Sequence, residues 1–502
     1  MRHVRMLALC LLTACGMGGS KRAYIAAPPS AGYPGGAAIA TDGTSGEDYT
    51  DYGKNPWVDA AKDHLSTFAA DVDTASYTIS RRKLNEGTLP PTAAVRVEEF
   101  VNYFKYSSPP PAAGSPFSVV MDAAPSPLAP DHHVLRVSVA TRAKSQAERK
   151  PANLVFLVDV SGSMGSADKL GLAQQSLRIL TSNLGPRDSV SLVTYAGNTR
   201  VVLPPTGMEH RDRILAAIDD LSSGGSTAMG SGLDLAYEQA MKGLLPGAIS
   251  RVIVLSDGDA NVGAVGHHQL LSIIESRAKA GVFLSTVGFG RGNYKDTAME
   301  QLADKGNGQA FYIDSPSAAK RVFAEQLGST LEVVAKDVKL QVDFDASLVA
   351  KYRLVGYENR DIKDEQFRDD QVDAGEIGAG HQVTALYELQ LTPSGKLSPA
   401  PLAMVRVRHK APDGDKAIES TYAMTSAPAG SFDAAPADFR FAFAVSAFAD
   451  VLRGADEAKG WSLDRIAEVA RDAAGNDPDR AELITLIGKA RALRGEPAKV
   501  AR

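Results

Sequence analysis

The sequence predicts an α/β protein with a doubly wound, mostly parallel sheet, flanked by a β-rich domain and followed by a C-terminal helical segment. Three observations predict this organisation. From residue 150 to 331, short continuous apolar runs alternate with stretches of helical periodicity, which is typical of parallel strands covered by helices on both faces. From 332 to 430 the pattern is that of antiparallel strands, and from 431 to 502 apolar residues recur at helical spacing. A chain of 502 residues is also too long for one ordinary core, so about two to four domains are expected.

Residues 1–14 are typical of a lipoprotein signal peptide. A basic start and a short apolar stretch end in Leu12-Thr13-Ala14-Cys15, which resembles a bacterial lipobox. That resemblance implies cleavage before Cys15 and attachment of diacylglycerol to its thiol. The residue after the cysteine is Gly16, whereas an Asp there would favour retention in the inner membrane. The expected location is therefore the cell envelope, with the protein anchored by lipid at the outer membrane. The alternative is an ordinary cleaved signal peptide with an incidental cysteine.

Residues 15–56 are expected to form a flexible tether. They are rich in Gly, Ala, Pro, Ser and Asp, as in Ala26-Ala27-Pro28-Pro29-Ser30-Ala31-Gly32, and show no apolar period. About 40 such residues have an r.m.s. reach on the order of 35 Å, enough to hold a folded body off a membrane surface. No later stretch has the roughly 18 apolar residues of a membrane-spanning helix.

Charge and cysteine content narrow the function further. The chain has 54 basic and 59 acidic residues. Removal of residues 1–14 takes away two arginines and no acidic residue, leaving 52 and 59 and a net charge of −7. This balance argues against a nucleic-acid partner. Cys10 lies in the signal peptide and Cys15 would carry the lipid, so the mature chain is expected to form no internal disulfide.

The N-terminal flanking region, residues 57–149, is expected to contain helices and then strands. A helix is predicted up to Glu86 and a second at 95–106, separated by the turn Gly87-Thr88-Leu89-Pro90-Pro91. Strands follow at 117–121 and 133–140.

The remaining elements are predicted from apolar runs and helical periods. For residues 150–331, strands are expected at 154–158, 189–195, 251–255 and 282–287, and helices at 169–183, 210–221, 228–243 and 269–280. Later strands are expected at 337–344, 382–391, 403–409 and 419–424, and helices at 438–452, 462–474 and 480–493. We expect the strands before 150 and after 332 to join in one β-rich domain.

Polar side chains follow two of these strands where each strand ends. Asp159-Val160-Ser161-Gly162-Ser163 comes directly after the run 154–158, and Ser256-Asp257-Gly258 comes after 251–255. Between them lies the glycine-rich stretch Ser223-Gly224-Gly225-Ser226-Thr227. Ligands of open α/β sheets bind outside the carboxyl ends of the strands, so these side chains are expected at one site. Alone, the first stretch could equally be an Asx or Ser turn that caps the helix starting near Lys169.

The three stretches together resemble the metal-ion-dependent adhesion site of von Willebrand factor A domains. Asp159, Ser161, Ser163, Thr227 and Asp257 match its five positions. The resemblance implies that Ser161 and Ser163 coordinate Mg²⁺, or another divalent cation such as Mn²⁺ or Ca²⁺, and that Thr227, Asp159 and Asp257 bind it directly or through water. Mg²⁺ prefers octahedral oxygen coordination and takes only one or two carboxylates. The uncharged hydroxyls therefore leave the ion with positive charge and an exchangeable position for a partner's carboxylate.

Two flanking stretches resemble a group of bacterial lipoproteins that carry an A domain. Val95-Arg96-Val97-Glu98-Glu99-Phe100-Val101-Asn102-Tyr103-Phe104 is similar to the segment preceding that domain, which Asp71-Val72-Asp73-Thr74-Ala75-Ser76-Tyr77 introduces. The C-terminal region of the same group resembles Tyr352-Arg353-Leu354-Val355-Gly356-Tyr357-Glu358-Asn359-Arg360 and Asp373-Ala374-Gly375-Glu376-Ile377-Gly378-Ala379-Gly380-His381. We therefore expect an A domain at 150–331, a β-rich region at 332–430 and C-terminal helices at 431–502.

The function expected from these features is that of a membrane-tethered binding protein, with no catalytic residues. It would grip an acidic side chain of an unknown protein partner through the metal. Two alternatives stay open: a metal-assisted hydrolase of the cell envelope, and a scaffold with a purely structural metal site. The hydrolase is disfavoured because no G-x-S-x-G frame surrounds Ser161 or Ser163.

Overall fold

The computed structural model describes residues 38–41, 46–145, 147–226, 229–258, 266–291, 294–326, 331–397 and 400–496. Its strands are β1 (Ala38–Thr41), β2 (Asp48–Asp51), β3 (Val58–Asp59), β4 (Leu65–Ala69), β5 (Phe117–Pro125), β6 (His133–Thr141), β7 (Ala152–Asp159), β8 (Ser189–Tyr195), β9 (Arg200–Gly207), β10 (Ile249–Ser256), β11 (Val282–Phe289), β12 (Ala310–Ile313), β13 (Val333–Phe344), β14 (Val349–Val355), β15 (Gly375–Gly378), β16 (Gln382–Leu391), β17 (Ala403–Lys410) and β18 (Ala417–Ala423). The helices are α1 (Ala75–Asn85), α2 (Val97–Tyr103), α3 (Leu172–Ser182), α4 (Arg211–Asp219), α5 (Met229–Lys242), α6 (His267–Lys279), α7 (Asp296–Lys305), α8 (Pro316–Lys320), α9 (Pro393–Leu397), α10 (Ala437–Leu452), α11 (Leu463–Ala474) and α12 (Pro478–Leu493).

The central six-stranded sheet confirms the predicted fold class. Its strand order is β12-β11-β10-β7-β8-β9, and all neighbours are parallel except β8 and β9. Every residue of β7 and β10 is buried, which explains why the runs 154–158 and 252–255 within them are continuously apolar and do not alternate. The sequence predicted the four inner strands. It missed β9, which contains Pro204 and Pro205 and is tolerated because it lies at the sheet edge.

Helices cover both faces of this sheet, as the doubly wound class requires. The core on one face takes side chains from α3, α4 and α8, and includes Leu177 and Ile214. The core on the other face takes side chains from α5, α6 and α7, and includes Leu233 and Met299. Helix α7 and strand β12 were not among the predicted elements. Both are short, and their apolar residues are too few to give a clear period.

Strands from both sides of this α/β region pair in two further sheets. One sheet has the order β15-β13-β17-β18, with β4 also on β13, and the other has the order β3-β14-β16-β6-β5. Residues 133–140 of β6 pair antiparallel with 382–389 of β16. Apolar side chains of both sheets, such as Leu135, Val342 and Tyr387, form one core. The two flanks therefore build one β-rich body, and the α/β region is inserted between them.

The C-terminal helices pack on the helices of the N-terminal flank. Helices α10, α11 and α12 share a core with α1 and α2, in which Phe100 contacts Phe448 and Phe104 contacts Phe441. Helix α12 begins after Asp477, whose carboxylate accepts the backbone N–H groups of Asp479 and Arg480. No helix in the described ranges has the length and apolar character needed to cross a membrane.

The expected tether is wrong for its last part. Residues 38–41 and 48–51 form the paired strands β1 and β2, and Tyr49 is fully buried. Glu47, also fully buried, lies 2.8 Å from both Arg82 and Lys83 of α1. The stretch 38–51 has one aromatic residue and shows no apolar period. Strand pairing and buried ionic contacts nevertheless fix it on the folded body. Residues 1–37, which include Cys15, lie outside the described residues.

Candidate metal site

The two predicted carboxylates meet at the carboxyl edge of the central sheet. Strands β7 and β10 are parallel neighbours with Val158 opposite Leu255, so they end at the same edge. Asp159 is the last residue of β7, and Asp257 follows β10 directly. Both side chains are fully buried. The arrangement places two carboxylates where ligands of open α/β sheets bind.

Hydrogen bonds orient the Asp159 carboxylate. Its Oδ1 accepts the backbone N–H of Ser161 at 2.9 Å, and its Oδ2 accepts the hydroxyl of Ser256 at 3.2 Å. The hydroxyl oxygens of Ser161 and Ser163 lie 2.9 Å apart, with Ser161 buried and Ser163 exposed. The three side chains that the sequence groups as Asp-x-Ser-x-Ser therefore point to one place. The Asx turn at Asp159 is present, but it does not cap the helix near Lys169, because the segment Ala167–Gly171 starts after Ser166 and has no side-chain cap.

The glycine-rich loop is joined to this turn by backbone hydrogen bonds. Gly162 N–H donates to the Gly225 carbonyl at 3.0 Å, and Gly224 N–H donates to the Val160 carbonyl at 2.7 Å. Gly225 has φ +89°, and a Cβ there would lie 3.1 Å from the Gly197 nitrogen, so the loop needs glycine at this position. Thr227, the fifth predicted ligand, lies outside the described residues. The part of the loop that precedes it lies beside the turn at Val160 and Gly162.

Sequence reasoning missed Lys169, whose ammonium donates to Asp257 Oδ2 at 2.9 Å. Lys169 was assigned only to the start of a helix. In the structure it belongs to a π-helical segment, Ala167–Gly171, that precedes α3. No spacing rule distinguishes this lysine from others at helix starts, and only the three-dimensional contact identifies it.

Burial and mutual repulsion set the electrostatics of the site. Burial raises the pKa of Asp159, hydrogen bonds from Ser161 and Ser256 oppose the rise, and the nearby Asp257 carboxylate adds to it. Beneath the site, burial raises the pKa of Tyr195 well above its usual value, with the Asp159 carboxylate adding to the shift, so Tyr195 stays a neutral phenol. Two buried carboxylates close together favour a cation between or beside them.

The side chains present fit a hard divalent cation. Carboxylate and hydroxyl oxygens are the donors that Mg²⁺, Mn²⁺ and Ca²⁺ prefer, and thiolate or imidazole donors would favour softer metals. Elsewhere in the described chain, no group of three or more His, Cys, Asp or Glu side chains is arranged to hold a metal ion. The candidate site is not such a group, because Ser161 and Ser163 supply hydroxyls and only Asp159 and Asp257 supply carboxylates.

Comparisons with known families give the class of protein. The profile of the von Willebrand factor type A domain matches residues 153–325, which contain the central sheet and the site. A profile described as von Willebrand factor matches residues 43–136, and one described as Uncharacterized protein YfbK, C-terminal, matches 329–493. The protein is therefore a von Willebrand factor A-domain protein, and the resemblance inferred from its sequence is confirmed. A domains are mostly interaction modules, and many bind a divalent metal at this site.

The particular family follows from a full-length relative. The chain is 40% identical over 475 residues to Uncharacterized protein YfbK of Escherichia coli (strain K12), covering 89% of this chain and 81% of the relative. It belongs to the YfbK family. Uncharacterized protein sll0103 of Synechocystis is 29% identical over 191 residues, covering 38% of this chain and 44% of that protein.

Solved structures resemble the chain less closely. The von Willebrand factor type A protein from Catenulispora acidiphila has a TM-score of 0.41 and 17% identity, over 74% of this chain and 89% of that one. Proximal thread matrix protein 1 from the mussel byssus, with a zinc-occupied MIDAS motif, has a TM-score of 0.29 and 21% identity, over 35% of this chain and 45% of its own. TM-scores this low support no assignment. The family assignment rests on the family profiles and the strand order.

Proposed function

We propose that this protein captures a partner protein through a divalent cation held by Asp159, Ser161, Ser163 and Asp257. The observation that carries the proposal is the convergence of two fully buried carboxylates and two hydroxyls at the carboxyl edge of the A-domain sheet. Thr227 is the expected fifth ligand. Mg²⁺ is the expected ion, and Mn²⁺ or Ca²⁺ would bind the same oxygen donors.

The donor set favours binding over catalysis. The described hydrogen-bond partner of the Ser161 hydroxyl is the Ser163 hydroxyl, and not the histidine base that a serine nucleophile needs. Hydroxyl ligands bring no charge, so an ion held by two carboxylates can still bind a third carboxylate. An Asp or Glu side chain of the partner would supply it.

The cellular setting belongs to the same proposal. Cys15 would carry the lipid anchor and hold the protein at the bacterial outer membrane. The net charge of −7 after removal of residues 1–14 favours a protein partner over nucleic acid. The folded body would then present its metal site to other envelope proteins.

The test is cation binding by the full chain, followed by partner capture. Isothermal titration with Mg²⁺ and Mn²⁺ is expected to show one site that is lost in Asp159→Asn. This variant keeps an oxygen that accepts the Ser161 N–H, so the turn is retained. Asp212→Asn is the matched control, because Asp212 is an exposed carboxylate on α4 of the same domain.

Partner capture then separates the three functions. Capture from envelope extract that needs Mg²⁺ and fails with Asp159→Asn supports metal-mediated binding. Capture that persists in chelator, together with a lowered melting temperature, indicates a purely structural metal. Steady turnover of phosphoesters or peptides that is lost in the same variant indicates a hydrolase.

A further inference from the structure

Lys169 is a built-in cation at the candidate metal site. Its ammonium lies 2.9 Å from Asp257 Oδ2, and the two side chains are 11% and 0% exposed. The contact joins residues 88 positions apart in the chain, so the fold and not local sequence brings them together. In such a partly desolvated pair the Coulombic attraction is screened less than at the surface.

The surroundings hold this lysine in place. Its stem passes over Gly290, where a Cβ would lie 2.2 Å from Lys169 Cγ and 2.5 Å from its Cε. Gly290 also has φ +76°, so glycine is favoured there for two reasons. Lys169 itself lies in the π-helical segment Ala167–Gly171, a distortion that is frequent at functional sites. Packing and backbone geometry thus aim the ammonium at Asp257.

The charges of these side chains determine how strongly the site attracts a cation. Asp159 and Asp257 contribute two negative charges when ionised, and Lys169 contributes one positive charge against Asp257. Among these described side chains, a divalent cation therefore meets a net charge of one negative unit instead of two, and it shares Asp257 with the ammonium. Electrostatic attraction scales with the product of charges, so the lysine weakens cation binding.

We propose that Lys169 is an affinity-setting residue, an internal competitor that keeps the cation at this site weakly held and exchangeable. This inference rests on the proposed function, because it concerns the same metal site. A weakly held ion suits a site where a partner's carboxylate contributes to the coordination. The cation is then held firmly only when the partner is present.

The experiment is a calorimetric titration of the full chain with Mn²⁺ and Mg²⁺. Lys169→Met removes the charge and keeps much of the stem, and it is expected to tighten cation binding at least about tenfold. Lys169→Arg keeps the charge and is expected to stay within about threefold of wild type. Lys242→Met is the matched control for loss of a lysine, since Lys242 is an exposed residue of α5 that pairs with Glu238 one turn away.

The outcomes distinguish this inference from the proposed function. If wild type binds the cation and Asp159→Asn abolishes binding, but Lys169→Met binds equally or more weakly, then Lys169 positions Asp257 and the competitor role is overturned. If wild type and both variants bind no cation, the metal site itself fails and both proposals are overturned. Should Lys169→Met not fold, Lys169→Gln, which removes the charge but keeps a hydrogen-bond donor, is titrated with the same expectation.

Discussion

Arg360 is expected to be a main ionic link between the β-rich body and the A domain. Its guanidinium lies 3.0 Å from Asp71 and 3.5 Å from Asp73 of the N-terminal flank, and 3.2 Å from Glu300 and 3.1 Å from Asp304 of α7. Its side chain is only 14% exposed. Removing one partner from a buried ion pair typically costs about 3–5 kcal/mol, because the other charge stays buried and unpaired. With four carboxylates affected, Arg360→Met is expected to lower the free energy of unfolding by about that much at pH 7.5.

The loss should depend on pH in a defined direction. Burial raises the pKa values of Asp73 and Asp304 and raises that of Glu300 to about 7, while Arg360 lowers all three. Without Arg360 these pKa values rise further. An acid with a raised folded pKa contributes stability below its unfolded pKa, and that stability is lost as pH rises through the folded pKa. The difference between variant and wild type is therefore expected to be smallest near pH ~4.5 and largest above pH ~7.5.

Urea unfolding at several pH values measures this difference. The fluorescence of Trp57 and Trp461 reports on the N-terminal flank and on the loop before α11, and circular dichroism reports on the whole chain. Arg368→Met is the control, because Arg368 pairs with Glu419 but is 65% exposed, and its loss should cost less than about 1 kcal/mol. Equal losses in the two variants, or a loss for Arg360→Met that does not change with pH, would refute the reasoning.

Three further predictions concern the metal site and the N-terminal segment. Ser163→Ala is expected to weaken cation binding measured by calorimetry, because the Ser163 hydroxyl lies beside that of Ser161. The melting temperature should change little, because Ser163 is exposed. Gly258→Ala is expected to destabilise the fold by about 1–3 kcal/mol and to weaken the same cation binding. Gly258 has φ +86°, and a Cβ there would lie 2.6 Å from the Lys295 nitrogen. Unchanged binding and melting temperature would contradict this prediction. Glu47→Gln removes the negative charge that lies 2.8 Å from both Arg82 and Lys83 of α1, and urea unfolding should show a loss of about 1–3 kcal/mol, whereas the same change in a flexible tether would show none.

The central sheet and most of the site could be predicted because their signals are local. A continuous apolar run marks each inner strand, and the Asp159, Ser161 and Asp257 side chains follow directly where two of those strands end. Parallel strands share an edge, so adjacency in space follows from the strand order. Thr227 stays a prediction.

The parts that could not be predicted depend on contacts between distant residues. Lys169 reaches Asp257 only because a π-helical segment and a glycine guide it. The burial of Tyr49 in the expected tether depends on side chains of α1 and of the A domain. Neither contact leaves a period or a spacing in the sequence.

The family stretches were recognised in the sequence, but their physical role appears only in the structure. Glu98, from the N-terminal stretch, accepts the backbone N–H of Tyr357 at 2.9 Å, in the C-terminal stretch. Tyr357 holds φ +65°, and its hydroxyl accepts from Asn102 at 3.0 Å. These stretches are thus two sides of one contact.

The ionic contacts also determine how the A domain should be regarded. Three arginines from outside it bind acidic side chains within it: Arg81 with Asp314, Arg96 with Asp296, and Arg360 with Glu300 and Asp304. Isolating residues 150–331 would leave those carboxylates without these arginine partners, and three of them, Asp296, Glu300 and Asp304, lie on successive turns of α7. Gly258, the residue after Asp257, packs against Tyr294 and Lys295, which lie just before α7. A change at this interface therefore lies close to Asp257. The candidate metal site therefore depends on the whole folded body, and cation binding has to be measured there.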